Sequence, residues 1–568
     1  MFQNTNNLIK KYFAKDWFCL TIIFLIALAV ILPMYVNGIP DGRDFPQHLQ
    51  FAETYYNAIL TGDFFPGWAA TDNYGFGSVG IRFYPPVAYY ALAFAQMLTG
   101  NWQNAILSVF LFWMFAGCAG VYFWAKEWLS APEAVFAAAL YAAAPYHLSQ
   151  IYQTWLYAEF AAAGVLPFCF LFITRICRRG KIIDVLLFTV SFSLLILTHI
   201  PSTITASIGL GIYALFLIDR RRCKEIFIKF LIAFCLSLSA TAFHWLKIVT
   251  EIHWVRHSDA QYSTGYYDYH QYLFPMYYSA GDKYWARLLW HFDASTVLTF
   301  LLLLPLIILL IFQFKTKAAE NSDRRVFLAL AATGIFSLFI MSVPSLFIWE
   351  SVSFLQRVQF PWRWLSVSSA VSVVAFVVAM RHFVFHYKKF KKIGLYAGLL
   401  LLTAILIFDF TQNIIQSEPM SNDQFAEKLA ESRTESGCPC WWTSWAKDTA
   451  FKQKEKVFAA SRPIKIVDWQ AESRDFEIGA GEPTKIRVAT FYYPYWQALV
   501  NDQPAQVERD DDGSILIPVE SEKSSVKLYF QEPIFLKVSL VFSILTWLVL
   551  AGAMILIRRN RKDLHSLN

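Results

Sequence analysis

The stretch "WFCLTIIFLIALAVILPMYV", beginning at Trp17, contains no charged residue and is followed by many runs like it. An α-helix needs about 20 apolar residues to cross the hydrocarbon core of a bilayer. This first run is too long for a signal-peptide core and lacks a small-residue cleavage pattern, so it reads as a retained helix. Similar runs lie at about 17–37, 104–125, 133–150, 157–175, 183–200, 202–218, 226–247, 294–313, 326–345, 363–380, 393–410 and 533–557. Only 16% of the residues are charged, against roughly 25% in a soluble domain. A soluble fold is excluded, and the expectation is an α-helical polytopic membrane protein of about 12 transmembrane helices.

Lys and Arg cluster between the runs, in "KKYFAK", "RICRRGK", "RRRCKE", "KTKAAENSDRR", "RHFVFHYKKFKK" and the terminal "RRNRK". Such clusters mark cytoplasmic connections, so the net charge of +7 requires no nucleic-acid partner. Placing every cluster on one side closes the parity only if "PPVAYYALAFAQML", residues 85–98, does not cross. That segment then reads as a re-entrant or interfacial helix, or half of a pair, opened by Pro85 and Pro86.

The same parity sends the polar connections of the other side to one external face. Residues 411–531 are polar and then alternate in strand fashion through "TKIRVATFYYPYW", "GSILIPV" and "SVKLYF", with "DDDGS" as a hairpin turn. The expected organisation is a transmembrane domain over 1–410 with a first external loop at 38–103, an external β-rich domain over 411–531, and a final helix with a basic cytoplasmic tail over 532–568.

Six of the eight cysteines lie in or beside apolar runs and read as small hydrophobes. Cys438 and Cys440 fall in the polar segment. A disulfide across one residue is strained, so free thiols or pairing with another chain is the expectation; no His/Cys cluster suggests zinc.

The chemistry gathers in "NGIPDGRDFPQHLQFAETYYNAILTGDFF", which places Asp41, Arg43, Asp44 and His48 just after the first apolar run. Phe45, Leu49, Ala52, Tyr56 and Ile59 follow at roughly helical spacing, as in a helix lying along a membrane surface. Asp41 and Asp44 either cap that helix or converge on a metal or an incoming hydroxyl. A glycine-rich connection with Arg82 follows, a composition suited to an anionic lipid-linked substrate.

These residues, with "ALYAAAPYHLSQIY", "YAEFAAAGVLPF", "THIPS" and "QFPWRW", resemble a bacterial membrane-protein family called 6-pyruvoyl-tetrahydropterin-synthase-related, which in turn resembles the GT-C superfamily of integral-membrane glycosyltransferases. "VATFYYPYWQALVNDQPAQV" is similar to the β-domain of YfhO-like membrane proteins, also GT-C-like. The resemblance implies a polyprenyl-phosphate-linked sugar donor and an acidic residue in the first external loop. On it, Asp44 is the expected catalytic base of an inverting transfer, with Asp41 its partner or a metal ligand. The spacing is Asp-x-x-Asp rather than Asp-x-Asp, so no obligatory metal is expected, and a divalent cation (magnesium or manganese) held by Asp41 and Asp44 stays open.

For the donor phosphate, arginine offers a planar fork. Arg363 and Arg357 in "QRVQFPWRW" are the candidates, with Arg82 a third; the alternative for the first two is an interfacial anchor. His48 joins them as a substrate-binding candidate. Glu159, costly to bury alone, forms an ion pair with an arginine or with His147, or serves catalysis or sugar binding. His199 is either a satisfied core histidine or a site residue. His253, His257 and His270 lack a clean metal spacing, and the aromatic residues around them stack on sugars or form an ordinary belt.

The function expected on these grounds is sugar transfer to a lipid, polysaccharide or cell-envelope acceptor, at the periplasmic face of a bacterial inner membrane. A lipid or glycan transporter or flippase, or a non-catalytic GT-C-like assembly protein, are the alternatives.

Overall fold

In this computed structural model the structure describes residues 13, 15–259, 269–276, 283–316, 321–386, 389–434 and 437–566. Residues 260–268 and 277–282 of the aromatic loop, residues 10–12 of the first basic cluster and 317–320 lie outside the described residues.

All the apolar runs are helical. Among the described residues, however, eight helices are long and apolar enough to cross a membrane, or nine if one bent pair is a single span, against about twelve expected. The shortfall has local causes. The run at 133–150 stops at Ala142 and restarts at Pro145, whose ring cannot continue the preceding helix. The run at 183–200 yields a helix of 15 residues, Ile182–Ile196, shorter than the hydrocarbon core. At 226–247 the chain bends by 73° between Arg220–Ala240 and Ala242–Trp254. The helix at 326–345 begins instead at Asn321, with Asp323, Arg324 and Arg325 in its first turns. The segment after Pro85 and Pro86 forms the 13-residue helix Val87–Thr99, about 20 Å long and too short to cross unaided.

Helices Tyr157–Arg179 and Pro361–Phe383 are almost wholly enclosed, whereas Tyr396–Ile415 and Ile534–Arg559 expose most of their surface. Gly164 allows Tyr157–Arg179 to approach Trp102–Ala125 closely, since a Cβ there would come 2.8 Å from the Trp113 carbonyl oxygen.

Strands form in all three runs that alternation marked, and further strands form outside them. They are β1 (Val457–Phe458), β2 (Ile464–Trp469), β3 (Ser473–Ile478), β4 (Thr484–Phe491), β5 (Trp496–Val500), β6 (Gln503–Ala505), β7 (Glu508–Arg509), β8 (Ser514–Val519) and β9 (Ser524–Phe530). Two antiparallel sheets result, in the orders β1-β4-β8-β7 and β2-β3-β9-β5-β6. "DDDGS" turns between β7 and β8 with Gly513 at φ +88°, a conformation that glycine adopts without a Cβ clash. Ile486, Val488, Ile515 and Ile517 of one sheet join Phe476, Ile478, Val526 and Leu528 of the other in one core. Trp68, Phe76, Val79 and Phe83, from the loop after the first span, enter the same core, and Phe491 N–H donates to the Phe76 carbonyl at 2.8 Å. The strands are thus seated directly on that loop.

Candidate functional site

Helix Phe45–Leu60 follows Asp44 and buries Phe45, Leu49, Ala52 and Ile59, as the stripe in the sequence requires. Phe45 meets Trp155 edge-on at 4.7 Å and Phe425 at 5.7 Å, which fixes the start of the helix. The preceding turn can lie this close to the 154–155 backbone because residue 42 is glycine; a Cβ there would be 2.6 Å from Trp155 Cβ.

Asp44 occupies the N-cap position but makes no side-chain capping bond, and its carboxylate accepts no hydrogen bond among the described residues. It lines a cavity of about 950 Å³ on the face that carries the strands. Burial raises its pKa to about 6; Arg363 and Arg43 oppose that shift and Glu159 adds to it.

Arg43, Arg357 and Arg363 line the same cavity. Arg363, in the turn Pro361–Trp364, donates from Nη1 to the Val358 carbonyl at 2.6 Å and to Gln359 Oε1 at 3.0 Å. Its Nε donates to Glu159 Oε2 at 3.3 Å, while Nη2 meets no acceptor among the described residues. Arg357 is exposed and has no partner there at all. Arg43 lies over the Trp285 ring at 5.2 Å.

His48 and His199 also line the cavity. His48 is buried, with Nδ1 2.7 Å from the Tyr89 hydroxyl, and burial lowers its pKa to about 3, so it is a neutral hydrogen-bonding group at physiological pH. His199 caps helix Ile200–Leu217 by accepting from Ser202 N–H at 3.3 Å. His257 is another lining residue, its pKa lowered by burial and then by Arg357 and Arg363.

Glu159 stands behind the cavity, where it pairs with Arg363 and accepts from the Tyr146 hydroxyl. The ion-pair alternative is therefore present, and its partner is an arginine; His147 contacts Gln150 instead.

Four residues sit differently from their expected roles. Asp41 is not a cavity residue: its carboxylate lies 3.8 Å from Lys428 Nζ and its backbone N–H donates to the Glu418 carbonyl at 2.7 Å. The two aspartates do not converge, and no group of three or more His, Cys, Asp or Glu suited to a metal occurs among the described residues. Arg82 is not available to a phosphate. Its fork is spent on Glu251, at 2.8 and 3.0 Å, and on Glu532, and Tyr493, Tyr495 and Phe530 surround the guanidinium. Cys438 and Cys440 form a disulfide rather than remaining free; their Cα atoms are 5.2 Å apart, within bridging range.

Sequence reading assigned no role to Arg43, Gln47, Gln50, Trp285 or Trp441, all of which line the cavity. Gln47 follows Asp44 by three residues and Gln50 by six, a helical spacing that was available as a signal. Trp441 had none beyond its place after Cys440.

A helical membrane protein with strands seated on the loop after its first span, and a cavity lined by both the Asp44 carboxylate and three arginines, is the class these features define. Residues 81–414 match the family described as "6-pyruvoyl-tetrahydropterin synthase related domain; membrane protein", more than half of the chain, and the protein belongs to that family. No protein of curated function matches. Among solved structures, ArnT from Cupriavidus metallidurans bound to undecaprenyl phosphate is 14% identical over 68% of this chain and 63% of its own, with a TM-score of 0.43. The archaeal oligosaccharyltransferase AglB from Archaeoglobus fulgidus, in complex with an inhibitory peptide and a dolichol-phosphate, is 13% identical over 74% and 56%, with a TM-score of 0.35. Arabinosyltransferase EmbB from Mycobacterium smegmatis is 11% identical over 90% and 62%, with a TM-score of 0.37. This chain spans less than two thirds of the length of each.

Proposed function

We propose that the protein is an inverting glycosyltransferase of the bacterial inner membrane, moving a sugar from a polyprenyl-phosphate donor to a lipid, polysaccharide or cell-envelope acceptor at the periplasmic face. The observation that carries the reading is the shared cavity of Asp44, uncapped and without a hydrogen-bond donor among the described residues, and Arg357, without a partner there. The donor class comes from the sequence resemblance to GT-C enzymes.

Asp44 takes the proton of the acceptor hydroxyl as its oxygen attacks the anomeric carbon from the side opposite the phosphate. The bond from that carbon to the phosphate oxygen breaks, and polyprenyl phosphate leaves with the electron pair. Arg357 and Nη2 of Arg363 hold the departing anion. With a pKa near 6, about nine tenths of Asp44 is ionised at pH 7 and ready to accept a proton. No step is routed through a metal, since Asp41 and Asp44 do not form a joint ligand pair.

The arrangement favours transfer over transport because the charged lining residues come from segments assigned to one face, at 43–44 and 357–363. The test is label transfer from a panel of undecaprenyl-phosphate sugars into membrane lipids and polymers by the purified protein, beside Asp44→Asn and Arg363→Ala. Incorporation by the wild type that both variants lose is expected. Absence of transfer from every donor by folded protein overturns the reading.

A further inference from the structure

Two chemically different sets of residues line the cavity. Arg357 and Arg363 belong to one, with Arg43 joined to it through Trp285. Tyr272, Phe360 and Trp362 belong to the same set, Phe360 and Trp362 stacked at 4.2 Å and Tyr272 4.9 Å from Trp362. The other set is Gln47, Gln50 and Trp441, which make no hydrogen bond or cation–π contact with a charged side chain among the described residues; Trp441 packs on Tyr84 and His257, and these in turn feel the charge of Arg363.

The hydrogen bonds of this second set fix its polarity. Cys438 N–H is a donor only, so the Gln47 oxygen must accept it, at 3.0 Å. Gln47 then donates through Nε2 to Gln50 Oε1 at 3.2 Å. Gln50 is left with its Nε2 hydrogens free: the residue is 6% exposed and that amide meets no acceptor among the described residues. Trp441 is half-buried, and its indole N–H likewise meets no protein acceptor among the described residues. The ring is nevertheless held firmly. Trp441 N–H of the backbone donates to the Cys438 carbonyl at 2.9 Å, inside the turn closed by the disulfide, and the ring meets His257 at 4.7 Å and Tyr84 at 5.9 Å.

Two N–H donors without a protein acceptor among the described residues, one amide and one indole, beside aromatic rings suit hydroxyl and ring oxygens. An anionic group would leave these neutral donors for the guanidinium groups of Arg357 and Arg363, which line the same cavity. We propose that Gln50 and Trp441 form a subsite for an uncharged sugar of the acceptor, held by the Cys438–Cys440 turn. The inference rests on the reading of the cavity as a sugar-transfer site. Gln50 lies six residues beyond Asp44, about 9 Å along the helix, so a sugar bound there can present a neighbouring hydroxyl to the Asp44 carboxylate.

The test uses the full chain in detergent and saturation-transfer NMR with methyl glucoside, methyl mannoside and methyl galactoside, alongside methyl glucuronide and glucose 6-phosphate. At least one neutral glycoside should bind. Its Kd should rise about tenfold in Trp441→Phe, which keeps a ring and removes the N–H, and about tenfold in Gln50→Glu, which keeps the shape and removes the donors. Binding of no neutral glycoside, equal loss of acidic and neutral sugars in these variants, or unchanged affinity in both overturns the subsite. Photo-crosslinking of a diazirine-bearing polyprenyl phosphate is read in parallel. Crosslinking without glycoside binding removes the subsite alone; glycoside binding without crosslinking removes the donor reading alone.

Discussion

Nε of Arg363 donates to Oε2 of Glu159 at 3.3 Å, joining two buried side chains 204 residues apart. The carboxylate holds the guanidinium from behind and leaves Nη2 for the cavity. Removing one member of such a pair costs about 3–5 kcal/mol, because the other charge stays buried without compensation. Glu159→Ala should therefore lower the thermal unfolding midpoint in detergent markedly. Glu159→Gln keeps an acceptor and should lose less, about 1–3 kcal/mol. Equal midpoints for the wild type and Glu159→Ala would show that the pair contributes nothing to stability.

Asp44 carries a second prediction, in which activity and stability move in opposite directions. Its pKa is raised by burial to about 6, so transfer should fall about tenfold per pH unit below 6 and level off above about 7. The folded state binds more protons than the unfolded state between about 3.9 and 6, so stability falls as pH rises through that window and remains lost at neutrality. Asp44→Asn cannot ionise. It should abolish transfer and yet gain stability at pH 7, on the order of 1–3 kcal/mol, with little gain at pH 4. Matched melting curves at the two pH values measure both signs.

Arg357 has no protein partner among the described residues, so its removal should cost binding without costing the fold. Arg357→Ala should weaken undecaprenyl-phosphate binding about tenfold or more while the melting temperature stays within a degree or two of wild type. Arg357→Lys keeps the charge but loses the planar fork and should fall between the two. A titration at two salt concentrations checks the electrostatic part, since the defect should shrink as salt rises.

What the sequence revealed here follows from the range of each signal. Helices and strands are written in local periodicity, so every apolar run is helical, "TKIRVATF" is a strand that stops before "YYPY", and "SVKLYF" is a strand. Crossing was harder to read, because a run of apolar letters does not show where Pro145 restarts a helix or where the chain bends at Thr241. Asp44, Arg357 and Arg363 could be singled out because a charge beside an apolar run is costly and therefore conspicuous. Arg82 met the same criterion and misled. Its partners Glu251 and Glu532 lie 169 and 450 residues away, and no local pattern announces that pairing. Gln47 and Gln50 escaped notice for the opposite reason: a neutral amide on a surface helix carries no apparent cost until its hydrogen-bond partners are known.

Arg82 is where the helices, the first loop and the strands meet. Its side chain is fully enclosed, held by Glu251 through both oxygens and by Glu532 just ahead of the final helix. Lys247 approaches Glu532 at 2.9 Å, and the hydroxyls of Tyr493 and Tyr495 donate to Glu251 at 2.6 and 3.2 Å. Arg82→Met would leave two carboxylates facing one lysine, so the loss should be at the upper end of the buried-pair range, about 3–5 kcal/mol. Arg82→Met combined with Glu251→Gln should recover part of it, because the uncompensated charge is removed with its partner. The region affected is also specific. Limited proteolysis should cut the segment between helix Asn422–Thr434 and β1 much faster in Arg82→Met than in wild type, because the strands are no longer fastened to the loop beneath them. Unchanged cleavage there, with an unchanged melting temperature, would mean that the aromatic packing of Trp68 and Phe76 holds the strands in place without Arg82.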